Sequence, residues 1–568
     1  MPVVMAHAAL SELEAFTYGA AERGQAPAQK RPRREEQKNA VDAAELLAQA
    51  EAELDQSMVE VATVDENSMK RMVLSVEKRI NENMQMRMKY PDKPEKFMDS
   101  ELELYQELKR LHVLATAPEL YPSFIRTRCI GSLLGLLAHE NSDISMDVVD
   151  LFHELADADD STPEDSAALV GSLLEHEAPM LLMEHLQRLD EGEEEEAKTV
   201  HNTLAIFEAL LESKPEVAEE LAQKAGLMKW LLTRIKRRAF HANKLYASEL
   251  LAVLLQQNAS NQTFLGQADG MLSLLTAASQ YKRREPQDME EAELVENVFD
   301  CMASALEQSS NQLLFLKAEG IELMILTIKE RRYASHGAFK ALDAALRANG
   351  ANCERFVDIR GFKTLFPMLG AAPPPLPAFS KSSGEKKAAQ RQHDEHCASV
   401  LSTLFHQLSG DRRLRLLGKL AEDDMSKLQK LLQLHRTYAA AVEAAEVAAA
   451  RESDAEEEDE ADAEERAYLA RMEAGSYTLQ LVDVCLCYAA TAKNKQLRQQ
   501  VLHGLYEDGF SLHDIWANAF DHIKSFGIDT VDAVQRKQTE ELGKEVEKLL
   551  QKYTTVKEEG ADAEAEQE

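Results

Sequence analysis

The chain has 568 residues, too many for one ordinary hydrophobic core, so it requires several domains or a repeat architecture. Acidic residues outnumber basic residues 99 to 64, and the net charge of −35 disfavours direct binding of nucleic acid. No apolar run reaches the roughly 18 residues that a membrane helix needs, and no secretory signal pattern opens the sequence.

The composition favours helices. Aromatic residues make up only 6% of the chain, whereas Leu, Ala, Glu and Lys are abundant. The six cysteines show no framework spacing, which predicts free and mostly buried thiols in a reducing compartment. We therefore expect an intracellular helical protein without membrane contact.

The first segment, residues 1–66, is rich in Ala, Glu and Gln, which predicts a disordered tail with a transient helix over Val41–Glu60. The tail contains one dense basic cluster, formed by Lys30, Arg31, Pro32, Arg33 and Arg34. Nuclear import receptors bind segments of this kind, so we predict an import signal and an import receptor as a partner. An incidental basic patch in a solvated tail is the alternative.

From Ser68 to Tyr438 the pattern is helical, and a small residue recurs ahead of an apolar run at intervals of 41 to 50 residues. These positions are Cys129, Ala178, Gly226, Gly270, Gly320 and Gly361. A period in the forties indicates armadillo or HEAT repeats, because each unit must stack on its neighbours to cover its apolar face. We expect the small residue to permit a tight turn where a side chain would obstruct the chain.

A longer amphipathic helix is predicted to follow each turn. The predicted helices are Asp143–Ala156, Thr199–Glu212, Asn243–Gln256, Glu293–Leu306, Ser335–Arg347 and Asp394–Leu408. The predicted fold is an all-α, armadillo-type right-handed solenoid. Residues 67–128 form an N-terminal helical cap with the first repeat helices, residues 129–450 the repeats, and residues 468–553 a C-terminal helical cap.

Three segments interrupt or end this pattern. The Pro-rich residues 371–392 predict a mobile loop. The acidic residues 451–467 predict a solvated linker, with a highly charged helix as the alternative. Residues 554–568 predict a disordered acidic tail.

No nucleotide-binding loop, dinucleotide fingerprint, nucleophile elbow or zincin motif is present, so we predict no enzyme and no cofactor. His393, His396 and Cys397 lie at helical spacing and could form part of a metal site, which would support a metal-dependent enzyme as a rival hypothesis. Because structural zinc needs four ligands and no fourth is evident, we favour packing roles for these residues and predict no metal site.

Two acidic triplets are better candidates for binding. Asp147, Asp150 and Glu154 share one helix face, and Glu293, Glu296 and Asp300 repeat the spacing i, i+3, i+7. In an armadillo solenoid the long third helices line a groove, where carboxylates would pair with Lys and Arg of a ligand. We predict a partner-binding groove at these six residues, with a solvated outer face as the alternative.

Several ungapped segments closely resemble the beta-catenin-like protein 1 family of nuclear armadillo-repeat proteins associated with the spliceosome. They are Lys89–Leu104, Val200–Glu212, Phe240–Gln256, Phe315–Met324 and Phe356–Met368. The resemblance implies a non-catalytic nuclear scaffold of pre-mRNA splicing, linked to the complex of the Prp-nineteen ubiquitin ligase and the Cdc-five-like factor. It also implies binding of basic segments of splicing proteins and self-association as a homodimer.

One feature departs from related solenoids. Import receptors and beta-catenin resemble each other in a groove-lining Asn, and the corresponding positions here look like Glu154, Ala209 and Ala305. These residues cannot both donate to and accept from a ligand backbone as Asn does. We therefore predict recognition by charge pairing. A cytoplasmic transport or adhesion adaptor of the general armadillo kind remains the alternative function.

Overall fold

The computed structural model describes residues 64–158, 161–376, 383–456, 460–525, 537–538 and 540–551, and within these ranges it contains helices and turns but no strand. The chain divides into the units Met1–Val64 and Asp65–Glu568, and the fold described below is that of the second. The predicted import signal Lys30–Arg34, the transient helix Val41–Glu60 and the acidic tail 554–568 lie outside the described residues.

Twenty-five helices of six or more residues have defined bounds. They are α1 (Glu66–Lys89), α2 (Met98–Leu111), α3 (Tyr121–Arg126), α4 (Cys129–Gly135), α5 (Ser142–Ala156), α6 (Pro163–Glu175), α7 (Ala178–Leu186), α8 (Glu194–Ser213), α9 (Leu227–Ile235), α10 (Ala242–Leu255), α11 (Ala259–Gln267), α12 (Gly270–Gln280), α13 (Met289–Ala305), α14 (Ser309–Lys317), α15 (Gly320–Glu330), α16 (Ser335–Leu346), α17 (Gly350–Asp358), α18 (Phe362–Met368), α19 (Ser383–Gln407), α20 (Gly410–Ala421), α21 (Ser426–Glu456), α22 (Glu460–Ala474), α23 (Ser476–Ala490), α24 (Lys495–Glu507) and α25 (Leu512–Ser525).

Helices α3 to α19 form six repeating units, each ending in a long third helix. The third helices are α5, α8, α10, α13, α16 and α19, and each contacts the next one along the chain. Helix α2 of the N-terminal hairpin precedes them and packs against α5. We call the outward face of α2 and these six helices the third-helix surface. The predicted all-α solenoid and the six predicted long helices are confirmed.

The units stack because each third helix buries an apolar stripe. In α5 the residues Ile144, Val148, Leu151, Phe152 and Leu155 are all at most 1% exposed. Full burial of such a side chain contributes about 1.5–3 kcal/mol. The stripe predicted from the sequence is therefore the core of the array, and the polar residues between these positions are left for the third-helix surface.

A buried apolar residue precedes the small residue of every unit by five positions. The pairs are Phe124 with Cys129, Leu173 with Ala178, Leu221 with Gly226, Leu265 with Gly270, Phe315 with Gly320 and Phe356 with Gly361. A Cβ atom on Gly320 would lie 2.6 Å from the Phe315 ring, and one on Gly361 would lie 2.4 Å from the Phe356 ring. Because glycine has no side chain, these two positions leave room for the phenylalanine ring from the first helix of the same unit.

The small residue is predicted to permit a tight turn, and in five of the six units the residue just before it is the one with left-handed backbone geometry. Asp269, Glu319 and Arg360 have φ values of 55°, 58° and 66°, directly before the glycine. At Gly226 the glycine itself is left-handed, with φ at 86°, and a Cβ atom there would meet nothing within 4 Å. At Gly270, Gly320 and Gly361 a side chain would be obstructed by close packing, as predicted, whereas Gly226 is favoured by the conformational freedom of glycine. The first two units tolerate a side chain at this position, because Cys129 and Ala178 stand there.

Buried asparagines join consecutive units. Asn261, Asn311 and Asn352 are fully buried near the start of first helices, and each donates to a carbonyl at the end of the preceding third helix. The Asn311 amide also donates to the carbonyl of Gln262 in the previous unit, at 2.8 Å. The side chain thus satisfies carbonyls that a helix end leaves without partners. This repeat of asparagines was not predicted from the sequence, although its spacing follows that of the glycines.

Replacing Asn311 with Ala should lower the free energy of unfolding by about 2–4 kcal/mol, because two buried carbonyls lose their donor and a small cavity forms. Urea unfolding followed by circular dichroism would measure the loss. Ser310→Ala, at an exposed neighbouring position of α14, is the matched control and should change stability by less than about 0.5 kcal/mol. Equal stability of the two variants would contradict the structural role of the asparagine.

Two predicted interruptions are shorter than expected. Helix α19 begins at Ser383, so 383–392 of the predicted loop 371–392 are helical, because good helix formers follow the prolines. Residues 371–376 form a non-helical connection, and 377–382 lie outside the described residues. The described parts of the predicted linker 451–467 belong to helices α21 and α22, which pack against each other, so the charged-helix alternative is correct there.

The C-terminal region is organised around α23. Twelve of the fifteen residues of this helix are buried, and it packs against α19, α21 and α25. Within the described residues all six cysteines are free and buried, including Cys485 and Cys487 on this helix. The region is therefore helical as predicted, with its core supplied by one nearly enclosed helix.

Candidate functional site

The first acidic triplet is largely neutralised by the protein itself. Asp147 is only 3% exposed, and its carboxylate lies 2.5 Å from the ammonium of Lys109 on α2. Asp150 accepts a hydrogen bond from the Asn202 amide at 2.8 Å. Glu154 lies 2.6 Å from Nδ1 of His112. The three carboxylates therefore join α5 to its neighbours, and Asp147 is inaccessible to a ligand.

The carboxylates of this network favour the charged forms of its two cations. Burial lowers the pKa of His112, but the carboxylates of Asp147 and Glu154 outweigh it and raise the pKa above its ordinary value. Burial also opposes the charge of Lys109, and Asp147 more than compensates, so the Lys109 pKa is raised. Opposite charges at short distance explain both directions. This end of the third-helix surface carries little free negative charge.

The second triplet lies on the third-helix surface and is more accessible. Glu293 and Glu296 are exposed, and Asp300 is half-exposed. Glu296 accepts a hydrogen bond from the Tyr333 hydroxyl, and Asp300 forms an ion pair of 2.7 Å with Lys340. Glu293 has no partner within the described part of the chain. Of the six predicted groove residues, Glu293 is thus the one whose charge no described side chain opposes.

Glu293 continues a line of carboxylates that the sequence analysis missed. Glu208 on α8, Glu249 on α10 and Glu293 on α13 occupy consecutive third helices, and we call them the acidic row. Glu208 accepts a hydrogen bond from the Tyr246 hydroxyl. Their spacing follows the repeat period, so an alignment of the units would have found them.

Glu249 is the centre of the acidic row. The residue is half-buried, and no hydrogen bond or ion pair reaches it from the described residues. Burial, and next the charges of Glu293 and Glu208, raise the pKa of Glu249 to about 7. A carboxylate with such surroundings gains most from an added cation, because a cation relieves the repulsion and compensates the desolvation.

A cleft of about 800 Å³ continues the third-helix surface beyond the acidic row. Its floor includes the small residues Ala252, Ala303 and Ala344, which allow close approach of another chain. Charges of both signs surround it, among them Lys340 and Glu395. The cleft is open to solvent. Its shape suits a polypeptide segment better than a small reactive substrate.

The positions that correspond to a groove-lining Asn differ in environment. Glu154 is bound to His112, Ala209 is half-buried, and Ala305 is fully buried. Asn202 is present on the same surface, but its amide already donates to Asp150. No side chain at these three positions can donate a hydrogen bond to the backbone of a ligand. This agrees with the prediction that ligands are recognised by charge pairing.

The candidate metal residues have separate structural partners. His393 Nε2 lies 3.0 Å from the carbonyl of Met368, and His396 Nδ1 lies 3.2 Å from the Asp343 carboxylate. Cys397 is fully buried, and burial raises its thiol pKa well above the usual value. Among the described residues, no group of three or more His, Cys, Asp or Glu side chains could hold a metal ion.

Comparison with known proteins identifies the family of this chain. The family model described as "Catenin-beta-like, Arm-motif containing nuclear" matches residues 42–519. The chain belongs to the beta-catenin-like family of nuclear Arm-motif proteins. This membership confirms the resemblance predicted from the sequence.

Relatives in the beta-catenin-like family share most of the chain. It is 41% identical over 458 residues to beta-catenin-like protein 1 of Homo sapiens and of Rattus norvegicus, covering 79% of this chain and 80% of each relative. It is 33% identical over 382 residues to the homolog of Schizosaccharomyces pombe, covering 66% of this chain and 65% of that protein. The family description is nuclear, as predicted, and no described helix is both long and apolar enough to cross a bilayer.

Proposed function

We propose that this protein is a non-catalytic nuclear scaffold that binds basic segments of partner proteins on its third-helix surface. The family membership supports a nuclear Arm-motif scaffold. The resemblance found in the sequence extends the proposal to partners in the pre-mRNA splicing machinery, including a Cdc-five-like factor. The import receptor and a second copy of the chain remain further proposed partners.

The acidic row carries this proposal. Glu249 and Glu293 form no ion pair with a cation among the described residues, whereas Asp147, Glu154 and Asp300 each do. A lysine or arginine placed between Glu208 and Glu293 would form charge-assisted hydrogen bonds with a partly desolvated carboxylate. We therefore move the centre of the proposed binding site from α5 to α10.

Binding of a basic peptide should depend on pH through Glu249. Its pKa of about 7 means that the free carboxyl is mostly protonated at pH 6, and a bound cation must drive the proton off. The affinity for a peptide with only Lys and Arg as titratable side chains should be roughly tenfold weaker at pH 6 than at pH 8. Isothermal titration calorimetry at both pH values, in two buffers, would also show the released proton.

Glu249→Gln should remove this pH dependence and weaken binding at pH 8 by about tenfold or more, since a charged partner is lost. The His201 ring lies 5.0 Å from the Tyr246 ring and is retained in the variant, so any pH dependence that persists would belong to groups other than Glu249, such as this histidine. Glu219→Gln, an exposed carboxyl outside the acidic row, is the matched control and should behave as wild type. Identical affinities of the two variants would refute binding at the acidic row.

The splicing role requires a separate test. Depleting the protein from nuclear extract should reduce splicing of a reporter pre-mRNA, and adding back the wild type should restore it better than adding back the Glu249→Gln variant. A fluorescent fusion in which Lys30, Arg31, Arg33 and Arg34 are changed to Ala should lose nuclear accumulation. Cytoplasmic localisation of the unchanged fusion would instead favour the adaptor function.

A further inference from the structure

A basic edge contrasts with the acidic composition of the chain. It consists of exposed or half-exposed cations in and beside three consecutive connections between second and third helices. These cations are Lys236, Arg237, Arg238, Lys282, Lys329 and Arg331. The connections leave α9, α12 and α15, and these second helices contact one another in order. The positive charges therefore lie along one edge of three adjacent units.

Contacts between the connections fix this arrangement. The Gln280 amide donates to the carbonyl of Lys236 at 3.1 Å, which joins the first connection to the second. Arg283 pairs with Glu330 at 2.8 Å, and Arg332 pairs with Glu285 at 3.3 Å, which join the second to the third. Stacked helices lie about 10 Å apart, so the basic edge spans roughly 20 Å.

The cations of the basic edge lack carboxylate partners in the described part of the chain. Arg331 donates only to uncharged atoms, the carbonyl of Ala372 and the sulfur of Met368. The other five form no ion pair with a described residue. Most neighbouring carboxylates are already engaged by other arginines, namely Glu191 by Arg234, Glu285 by Arg332, Glu291 by Arg284 and Glu330 by Arg283.

Two nearby acidic residues reduce the positive charge without cancelling it. Asp288 caps the start of α13 by accepting from the amide of Glu291, and Glu290 is exposed. Six cations against these two carboxylates leave a local excess of positive charge. The whole chain carries a net charge of −35, so this local positive charge is unusual. It attracts either mobile counterions or an anionic ligand.

We propose that the basic edge binds the phosphate backbone of a single-stranded nucleic acid. Arginine and lysine in a row suit phosphates spaced along an extended chain, and arginine can bind a phosphate through two hydrogen bonds. A stable folded-protein interface usually has an apolar centre, whereas the exposed side chains of these connections are polar apart from Ala239 and Phe240. The half-buried Phe240, two residues after Arg238, offers a ring on which a base can stack.

This inference is independent of peptide binding on the third-helix surface. It also differs from the expectation of no nucleic-acid contact, which rested on the net charge of the whole chain. Net charge averages over opposite surfaces, whereas exposed charges separated by more than about 10 Å act on a ligand largely independently at physiological salt. A local basic edge can therefore bind phosphates on an acidic protein.

Fluorescence anisotropy with labelled U20 RNA and dT20 DNA would test the proposal on the full chain. We expect saturable binding at 50 mM salt with a Kd on the order of 10 µM, and a fall of about a hundredfold or more at 200 mM salt. The triple variant Lys236→Ala, Arg237→Ala, Arg238→Ala should bind at least about tenfold more weakly and show a shallower salt dependence.

The matched control removes three exposed cations elsewhere through Lys70→Ala, Lys78→Ala and Arg110→Ala, which produces the same change in net charge. It should bind both oligonucleotides as the wild type does, and thermal unfolding should verify that both variants are folded. Binding of either oligonucleotide that depends on the basic edge supports the proposal. Absence of binding at 50 mM salt, equal losses in both variants, or stronger competition by a polyglutamate peptide than by unlabelled U20 would each overturn it.

Discussion

Phe315→Ala should lower the free energy of unfolding by about 3–5 kcal/mol, because it empties a fully buried site between the first and second helices of one unit. In a stacked array the loss also weakens both neighbouring interfaces, since each unit relies on the next. Thermal and urea unfolding, followed by circular dichroism, would measure the change.

The same site allows a double-mutant cycle with Gly320. Glycine to alanine in a helix usually stabilises by about 0.5–1 kcal/mol, but here the new methyl group would meet the Phe315 ring at 2.6 Å. Gly320→Ala should therefore destabilise by about 1–3 kcal/mol in the wild type, and cost little in the Phe315→Ala background.

Gly418→Ala is the control for this cycle, because a Cβ atom there meets no atom within 4 Å. The exposed position in α20 should gain stability from alanine. If Gly320→Ala and Gly418→Ala shifted the unfolding midpoint alike, close packing against the ring would not be the reason for glycine at the start of α15.

Asp147→Lys should destabilise the protein by about 3 kcal/mol or more, because it places a cation at a buried site beside Lys109 and His112. We would have expected this change to leave stability unaltered if Asp147 lay in an open groove. The structure instead assigns it to the packing of α5 against α2. Differential scanning calorimetry at pH 7 would measure the effect.

Glu293→Lys is the contrasting variant. Its exposed side chain has no described partner, so the change in stability should stay within about 0.5 kcal/mol, while binding of a basic peptide weakens by tenfold or more. A stable Asp147→Lys protein, or a Glu293→Lys protein with normal peptide affinity, would show that the two acidic triplets have been assigned the wrong roles.

The number of repeat units and the positions of their third helices followed from the sequence alone. The recurring small residue and the apolar stripes set the six units and their third helices, because a helix period and a repeat period are local properties of the chain. The family resemblance and the nuclear location could also be inferred from it. The acidic row and the asparagines at 261, 311 and 352 share the same period and were within reach of a closer alignment of the units.

Only the tertiary structure decided which charges are free. Asp147 and Glu293 occupy the same position in their triplets, yet Lys109 and His112 neutralise the first, and nothing described opposes the second. The six cations of the basic edge likewise lie in three separate segments of the sequence, which become neighbours only when three units stack. Burial and pairing depend on residues that lie tens of positions away, and one-dimensional spacing cannot specify which of those residues arrive as partners.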